Sequence, residues 1–167
     1  LVDYLEPILD STKCNNYSDL VLLHAKGLHY LERYDPSIVY FEEYKSLVDT
    51  LYKEELYQIG FGYYQKGLYG FAINHLNKIF LTESDSITQY AFYYLADSYR
   101  KTNNKLEAMN AFRSASLLAL DSLIQHDSFY QFALLCYEQN NPLYDPIDVL
   151  STFIENYPNS EHIDQIY

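Results

Sequence analysis

The sequence predicts an all-α fold, in which antiparallel helix pairs stack as a solenoid wound into a right-handed superhelix. Three observations carry this reading. Gly60, Tyr63, Ala72 and Leu76 return as Ala96, Tyr99, Ala108 and Phe112, with identical internal spacing and an offset of 36 residues. A period of that length marks units that cannot bury their apolar faces alone and must stack. Apolar side chains between these landmarks recur at helical spacing. Only 5 Gly and 5 Pro are present, too few for a sandwich or barrel built on many tight turns.

Each element follows from local pattern. Residues 1–10 read as a second helix lacking its first. In 18–30, Val21, Ala25 and Leu28 form the inner stripe. Tyr34-Asp35-Pro36 opens the next helix, proline being tolerated in a first turn, with Ile38, Phe41 and Leu47 inward. Segment 53–66 places Leu56, Ile59, Gly60 and Tyr63 on one face, and Gly67 stops it in the left-handed manner of a C-cap. Helix 69–81 answers with Phe71, Ala72, Leu76, Ile79 and Phe80. Helix 89–102 turns Phe92, Leu95, Ala96 and Tyr99 inward and ends at the Asn103-Asn104 turn. Helix 105–120 supplies Ala108, Ala111, Phe112, Ala115 and Leu118. Helix 126–139 supplies Phe129, Phe132, Ala133 and Cys136, and helix 146–157 supplies Ile147, Leu150, Phe153 and Ile154. The units therefore span about 18–52, 53–88, 89–125 and 126–160, with partial units at 1–17 and 161–167. Neither end carries a polar cap, so the segment is expected to belong to a longer array.

Composition narrows the function. The 167 residues suffice for one domain with a sizeable core. A net charge of −12, from 23 acidic and 11 basic residues, argues against nucleic acid, whose affinity comes largely from Lys and Arg on phosphates. No stretch reaches the length of a membrane span. No signal peptide is visible and the first residue is Leu1, so a targeting segment removed from the chain is compatible with the sequence. Cys14 and Cys136 have no zinc-ligand spacing, and Cys136, inside the run Phe132–Tyr137, reads as a small apolar filler.

No catalytic constellation emerges. His24 and His29 are five apart and do not align on one helix face; His75, His126 and His162 stand alone in sequence. Gly60-Phe61-Gly62 follows no strand and lacks the Lys-Ser/Thr ending of a phosphate loop. No nucleophile elbow occurs. No catalytic residue, cofactor or metal is expected.

A small residue, Tyr, Ala and a large apolar residue at this spacing resemble the tetratricopeptide repeat. The match covers most of the chain and is strongest in the two central units. Departures are Leu56, Phe92 and Phe129 in place of the usual Trp, Ser37 in place of Ala, Pro146, and a helix-ending Pro only at Pro158. The runs Tyr94–Tyr99, Ala108–Ser116 and Phe153–Ser160 further resemble large exported repeat proteins of Bacteroidetes bacteria. That resemblance implies a periplasmic or outer-membrane location, with a cytoplasmic one as the alternative.

The repeat resemblance implies that the first helix of each unit lines a concave groove. Residues one position beyond the inner stripe then face that groove: Tyr57, Phe61 and Tyr64 in one unit, and Tyr93, Asp97 and Arg100 in the next, flanked by Lys26, His29 and Tyr30 before and by Tyr130, Leu134 and Tyr137 after. With 20 Tyr and 9 Phe, an aromatic groove suits a protein or peptide partner, because Tyr and Arg supply large area at low entropic cost. Aromatic packing between units is the competing explanation. The expected function is a non-catalytic protein-interaction scaffold in an envelope or secretion assembly. The alternatives are a ligand-sensing region of a signalling protein and a peptide- or carbohydrate-binding accessory.

One further pattern recurs at intervals of 36: Asp49-Thr50-Leu51, Asp85-Ser86-Ile87 and Asp121-Ser122-Leu123. Helix punctuation explains it, since Asp, Ser and Thr cap helices. It is also similar to the O-glycosylation signal of exported Bacteroidetes proteins, which would place sugar on Thr50, Ser86 or Ser122.

Overall fold

The computed structural model describes residues 16–80, 84–139 and 142–166. The partial unit at 1–17 and Cys14 therefore lie almost wholly outside the described residues. The helices are α1 (Tyr17–Tyr30), α2 (Tyr34–Leu47), α3 (Lys53–Gln65), α4 (Tyr69–Leu76), α5 (Ser86–Lys101), α6 (Lys105–Ser116), α7 (Ser122–Gln139), α8 (Pro146–Asn156) and the short α9 (Ile163–Ile166). No strand occurs among the described residues. The chain divides into two compact units, Leu1–Ile79 with α1–α4 and Phe80–Tyr167 with α5–α9.

In the first unit α1 packs on α2, α2 on α3, and α3 on α4. Val21, Ala25, Leu28, Phe41, Ile59, Ala72 and Leu76 are buried. The register seen in the sequence is a physical contact here. A Cβ added to Gly60 would lie 2.6 Å from Leu76 Cγ, so the missing side chain lets α3 and α4 approach. Ser37, standing where the pattern asks for Ala, is buried and donates its hydroxyl to the Ala25 carbonyl at 2.9 Å. That bond removes the cost of burying the hydroxyl.

In the second unit α5 packs on α6, α6 on α7, and α7 on α8. Leu95, Ala96, Ala108, Ala111, Phe112, Ala115, Leu118, Phe132, Ala133 and Cys136 are all buried, as their spacing predicts. Gln89, also fully buried, supplies a bond that the pattern does not suggest. Its amide nitrogen donates to the carbonyls of Leu118 and Asp121, and its oxygen accepts the Asp121 N–H at 2.8 Å. Two of these bonds, to the Leu118 carbonyl and from the Asp121 N–H, serve backbone groups between α6 and α7 that lie outside the helical ladder.

The first helices of three successive repeats end identically. Glu32, Gly67 and Asn103 have φ of 57°, 72° and 62°. After each, a backbone N–H reaches five residues back: Arg33 to Leu28, Leu68 to Tyr63, and Asn104 to Tyr99. This is the Schellman ending, which the sequence announces at Gly67 and Asn103 and not at Glu32.

Several boundaries and facings differ from expectation. α4 ends at Leu76 instead of 81, because Lys78 and Ile79 turn back to His75 and Leu76 in tight three-residue bonds. α5 begins at Ser86, where Asp85 accepts the Thr88 N–H at 2.8 Å. α7 begins at Ser122, where the Asp121 carboxylate accepts from Leu123 and Ile124. Both starts precede the first apolar landmark, which is why periodicity alone places them late. Leu47, Phe71, Phe80 and Ile147 are exposed instead of inward. Leu47, Phe71 and Ile147 sit in the first or last turn of their helices, and Phe80 lies beyond α4, which ends at Leu76.

Candidate functional site

The twelve residues expected to line a groove fall six in each unit. In the first unit, Tyr57, Phe61 and Tyr64 lie four and three residues apart on α3 and so share one stripe. Their rings form a row: Tyr57 and Phe61 are 5.8 Å apart with planes 23° from parallel, and Phe61 and Tyr64 are 6.4 Å apart at 20°. All three are half-buried. The row is buttressed by rings set edge-on. His29 meets Phe61 at 5.8 Å, Tyr34 meets Phe61 at 5.8 Å, and Tyr69 meets Tyr64 at 5.7 Å. Burial pushes the His29 imidazole below its ordinary pKa, so it stays neutral and packs as an aromatic. Tyr30 projects outward, 87% exposed. Lys26 plays a structural part, with its ammonium 2.7 Å from Oε1 of Glu55. Glu55 is buried, and its other oxygen accepts the Tyr52 N–H at the start of α3.

In the second unit the candidates form a polar strip between α5 and α7. The Tyr93 hydroxyl donates to Asp127 at 2.8 Å. Arg100 donates to the buried Asp97 through Nε at 3.0 Å, and through Nη1 to Gln131 at 3.4 Å. Gln131 in turn donates to Asp127 at 3.4 Å. Asp127 and Gln131 are absent from the sequence-derived set. Their signal was polarity one turn apart on α7, 34 and 31 residues after the side chains they bind. Tyr130 is buried, its ring stacked on His162 at 3.8 Å. Leu134 is half-buried and Tyr137 exposed. The unit thus places Tyr93, Asp97 and Arg100 in one network and gives Tyr130 to the core.

The remaining chemistry is sparse. Burial pushes the Cys136 thiol up to about 11, so no thiolate is available near neutral pH. Among the described residues, no three or more His, Cys, Asp or Glu side chains converge as a metal site. None of the described helices is long and apolar enough to cross a membrane. Thr50, Ser86 and Ser122 are exposed. The aspartates beside the last two are engaged in capping α5 and α7, which gives the recurrence a structural cause.

No family model matches the chain, and none of the curated proteins matches it in sequence. Among solved structures, the MamA RS-1 ArsTM double mutant is similar in fold, with a TM-score of 0.68 at 14% sequence identity. The similarity covers 92% of this chain and 82% of that one. At that identity the likeness establishes the architecture: an all-α helix-pair solenoid of tetratricopeptide type.

Proposed function

We propose that this chain is a non-catalytic protein-interaction scaffold that holds a peptide segment of its partner against the first-helix stripes. The observation that carries the reading is the Tyr57–Phe61–Tyr64 row. Phe61 and Tyr64 are braced edge-on by His29, Tyr34 and Tyr69, Tyr57 stacks on Phe61, and all three rings remain half-exposed. Rings already held in place give up little entropy on binding, which is what an interface anchor requires. Tyr30 and Tyr137 add exposed aromatic area in their respective units. Tyr130 and Asp97 serve by shaping the surface instead of touching a partner.

The finer reading places the scaffold in a cell-envelope or secretion assembly, and it rests on the resemblance of three sequence runs to exported repeat proteins. The experiment is cross-linking in the source organism, followed by calorimetry with the purified partner. Tyr57→Ala combined with Tyr64→Ala should weaken binding at least tenfold, a loss of about 1.4 kcal/mol, with unchanged helical circular dichroism. Undiminished affinity would remove the row from the interface. Intact mass of the natively purified protein tests the location: added hexose on Thr50, Ser86 or Ser122 supports export, and a bare polypeptide mass counts against it.

A further inference from the structure

A cleft of about 590 Å³ opens in the second unit, between the first turns of α7 and the connection from α8 to α9. Its origin lies in two glutamines 36 residues apart. Gln89, in the first turn of α5, fills the connection that follows α6 by bonding to Leu118 and Asp121. Gln125 holds the same place in α7 but turns back, donating to the Ser116 carbonyl at 3.2 Å. The connection after α8 lacks that filling, and Leu123, His126, Tyr157, Pro158, Ser160 and Glu161 line the space. The cleft shares no residue with the aromatic row of the first unit. We infer that it docks an arginine side chain presented by a partner protein.

Charge selects the occupant. Residues 114–167 hold eight Asp or Glu and no Lys or Arg. Of the eight, only Glu138 is ion-paired among the described residues, with Lys105 at 2.9 Å. Asp121 and Asp145 commit their carboxylates to capping α7 and α8, and Asp127 binds Tyr93 and Gln131. Glu161, by contrast, is exposed on the cleft wall. His126 adds no opposing charge, because burial, and after it the neighbouring His162, push its imidazole below the ordinary pKa. A cation entering the cleft therefore meets a carboxylate, and no lining residue carries a positive charge at neutral pH.

The walls select a long side chain over a bare ion. Leu123, 78% exposed, and the rings of Tyr157 and Pro158 are apolar. Tyr157 is fixed by His126, set edge-on at 4.7 Å, and by Phe153 at 5.2 Å. His126 is held in turn by Ser160, whose Oγ lies 2.8 Å from Nε2. An inorganic cation gains nothing from such walls. Lysine and arginine do, since each lays an apolar stem along apolar surface and keeps its charged head in water. Arginine suits the cleft better. Its planar, weakly hydrated guanidinium stacks on aromatic rings and can bind a carboxylate through two N–H groups. Rings that are already fixed lose little entropy when the side chain enters. Water screens Glu161 at the rim, so the carboxylate and the apolar walls share the binding.

The test uses the whole chain and a blocked pentapeptide, Gly-Leu-Arg-Leu-Gly, beside the same peptide with citrulline, arginine's neutral isostere. Methyl and imidazole NMR signals locate the binding and give its affinity. The arginine peptide should shift Leu123 and His126, and should bind about fivefold or more tightly than the citrulline peptide, since the acidic surroundings add to the Glu161 contact. Glu161→Gln should weaken the arginine peptide about threefold, as loss of an exposed ion pair does. Leu123→Ser should weaken it too. Both variants replace exposed side chains, so the fold is retained. Asp148→Asn makes the same charge change in the first turn of α8, at the far end of that helix, and should leave the affinity unchanged. Tyr57→Ala with Tyr64→Ala should also leave it unchanged, which separates this outcome from that of the aromatic row. Equal binding of the two peptides would overturn the inference. So would equal losses in Asp148→Asn and Glu161→Gln, the mark of diffuse attraction. Leu123 and His126 signals that move with protein concentration alone would give the cleft to a second copy, and would overturn it as well.

Discussion

Gly60→Ala sets two known effects against each other. Alanine in a helix interior is favoured over glycine by about 1 kcal/mol. Against this, the new Cβ would stand 2.6 Å and 2.7 Å from Cγ and Cδ2 of Leu76, and 3.4 Å from its backbone nitrogen. Carbon atoms prefer about 3.5–4.0 Å, so roughly an ångström of overlap must be relieved. Leu76 is 1% exposed, and the clash involves its branch point Cγ as well as the Cδ2 methyl, so turning one methyl aside does not relieve it. Overpacking of this kind costs about 1–3 kcal/mol. The steric term should exceed the propensity gain, leaving a net loss of about 1 kcal/mol, or a midpoint lowered by about 2–4 °C in a chain of this size. A second background separates the two effects. Leu76→Ala alone should cost about 2–5 kcal/mol. Adding Gly60→Ala to it should then stabilise, because the clash is gone and only the propensity gain remains. Urea unfolding followed by circular dichroism reads both signs. A stabilising Gly60→Ala in the wild-type background, or the same sign in both backgrounds, would refute the contact and the repeat register that it anchors.

Other outcomes follow from the same structure. Ala96, fully buried in the repeat position of Gly60, should not accept a larger side chain: Ala96→Leu should cost about 1–3 kcal/mol, and an unchanged thermal midpoint would contradict the assignment. Glu32 holds φ 57° at a position filled by Gly67 one repeat later, so Glu32→Gly should stabilise by up to about 1 kcal/mol in urea unfolding, the left-handed strain exceeding the added entropy of glycine. A destabilising Glu32→Gly would show that the glutamate is not strained there. Burial lowers the folded-state pKa of His29, His75 and His126 below the ordinary 6.5. Above that pH they are neutral in both states. As pH falls through it, the unfolded chain binds protons first, so stability should decline from about pH 6.5 downward. A flat stability profile between pH 7 and 5.5 would show these imidazoles to be solvated.

Much of this protein is written in its linear pattern, and what is written there has a common origin. Gly60 against Leu76, and Ala96 with Phe112, are readable because a small residue facing a large one is a local requirement of close helix packing, repeated wherever the unit repeats. Gly67 and Asn103 are readable because few residues tolerate a positive φ. Glu32 is not, since its residue type gives no hint of its backbone. Nor does periodicity rank the candidate interface. Tyr57, Tyr93 and Tyr130 occupy corresponding positions beside the inner stripes of their helices, yet the first two are half-buried and the third is buried. The difference comes from what another part of the chain brings to each ring: His162 covers Tyr130 from 32 residues on. Gln89 reads as a polar surface residue until Leu118 and Asp121 fold around it. His75 and Glu42, 33 positions apart, share no local pattern and meet only where the fold brings the end of α4 to α2. Periodicity determines which face of a helix is apolar. Whether a side chain beside that stripe is buried, paired or left for a partner depends on its neighbour in space, and that neighbour lies a repeat away in sequence.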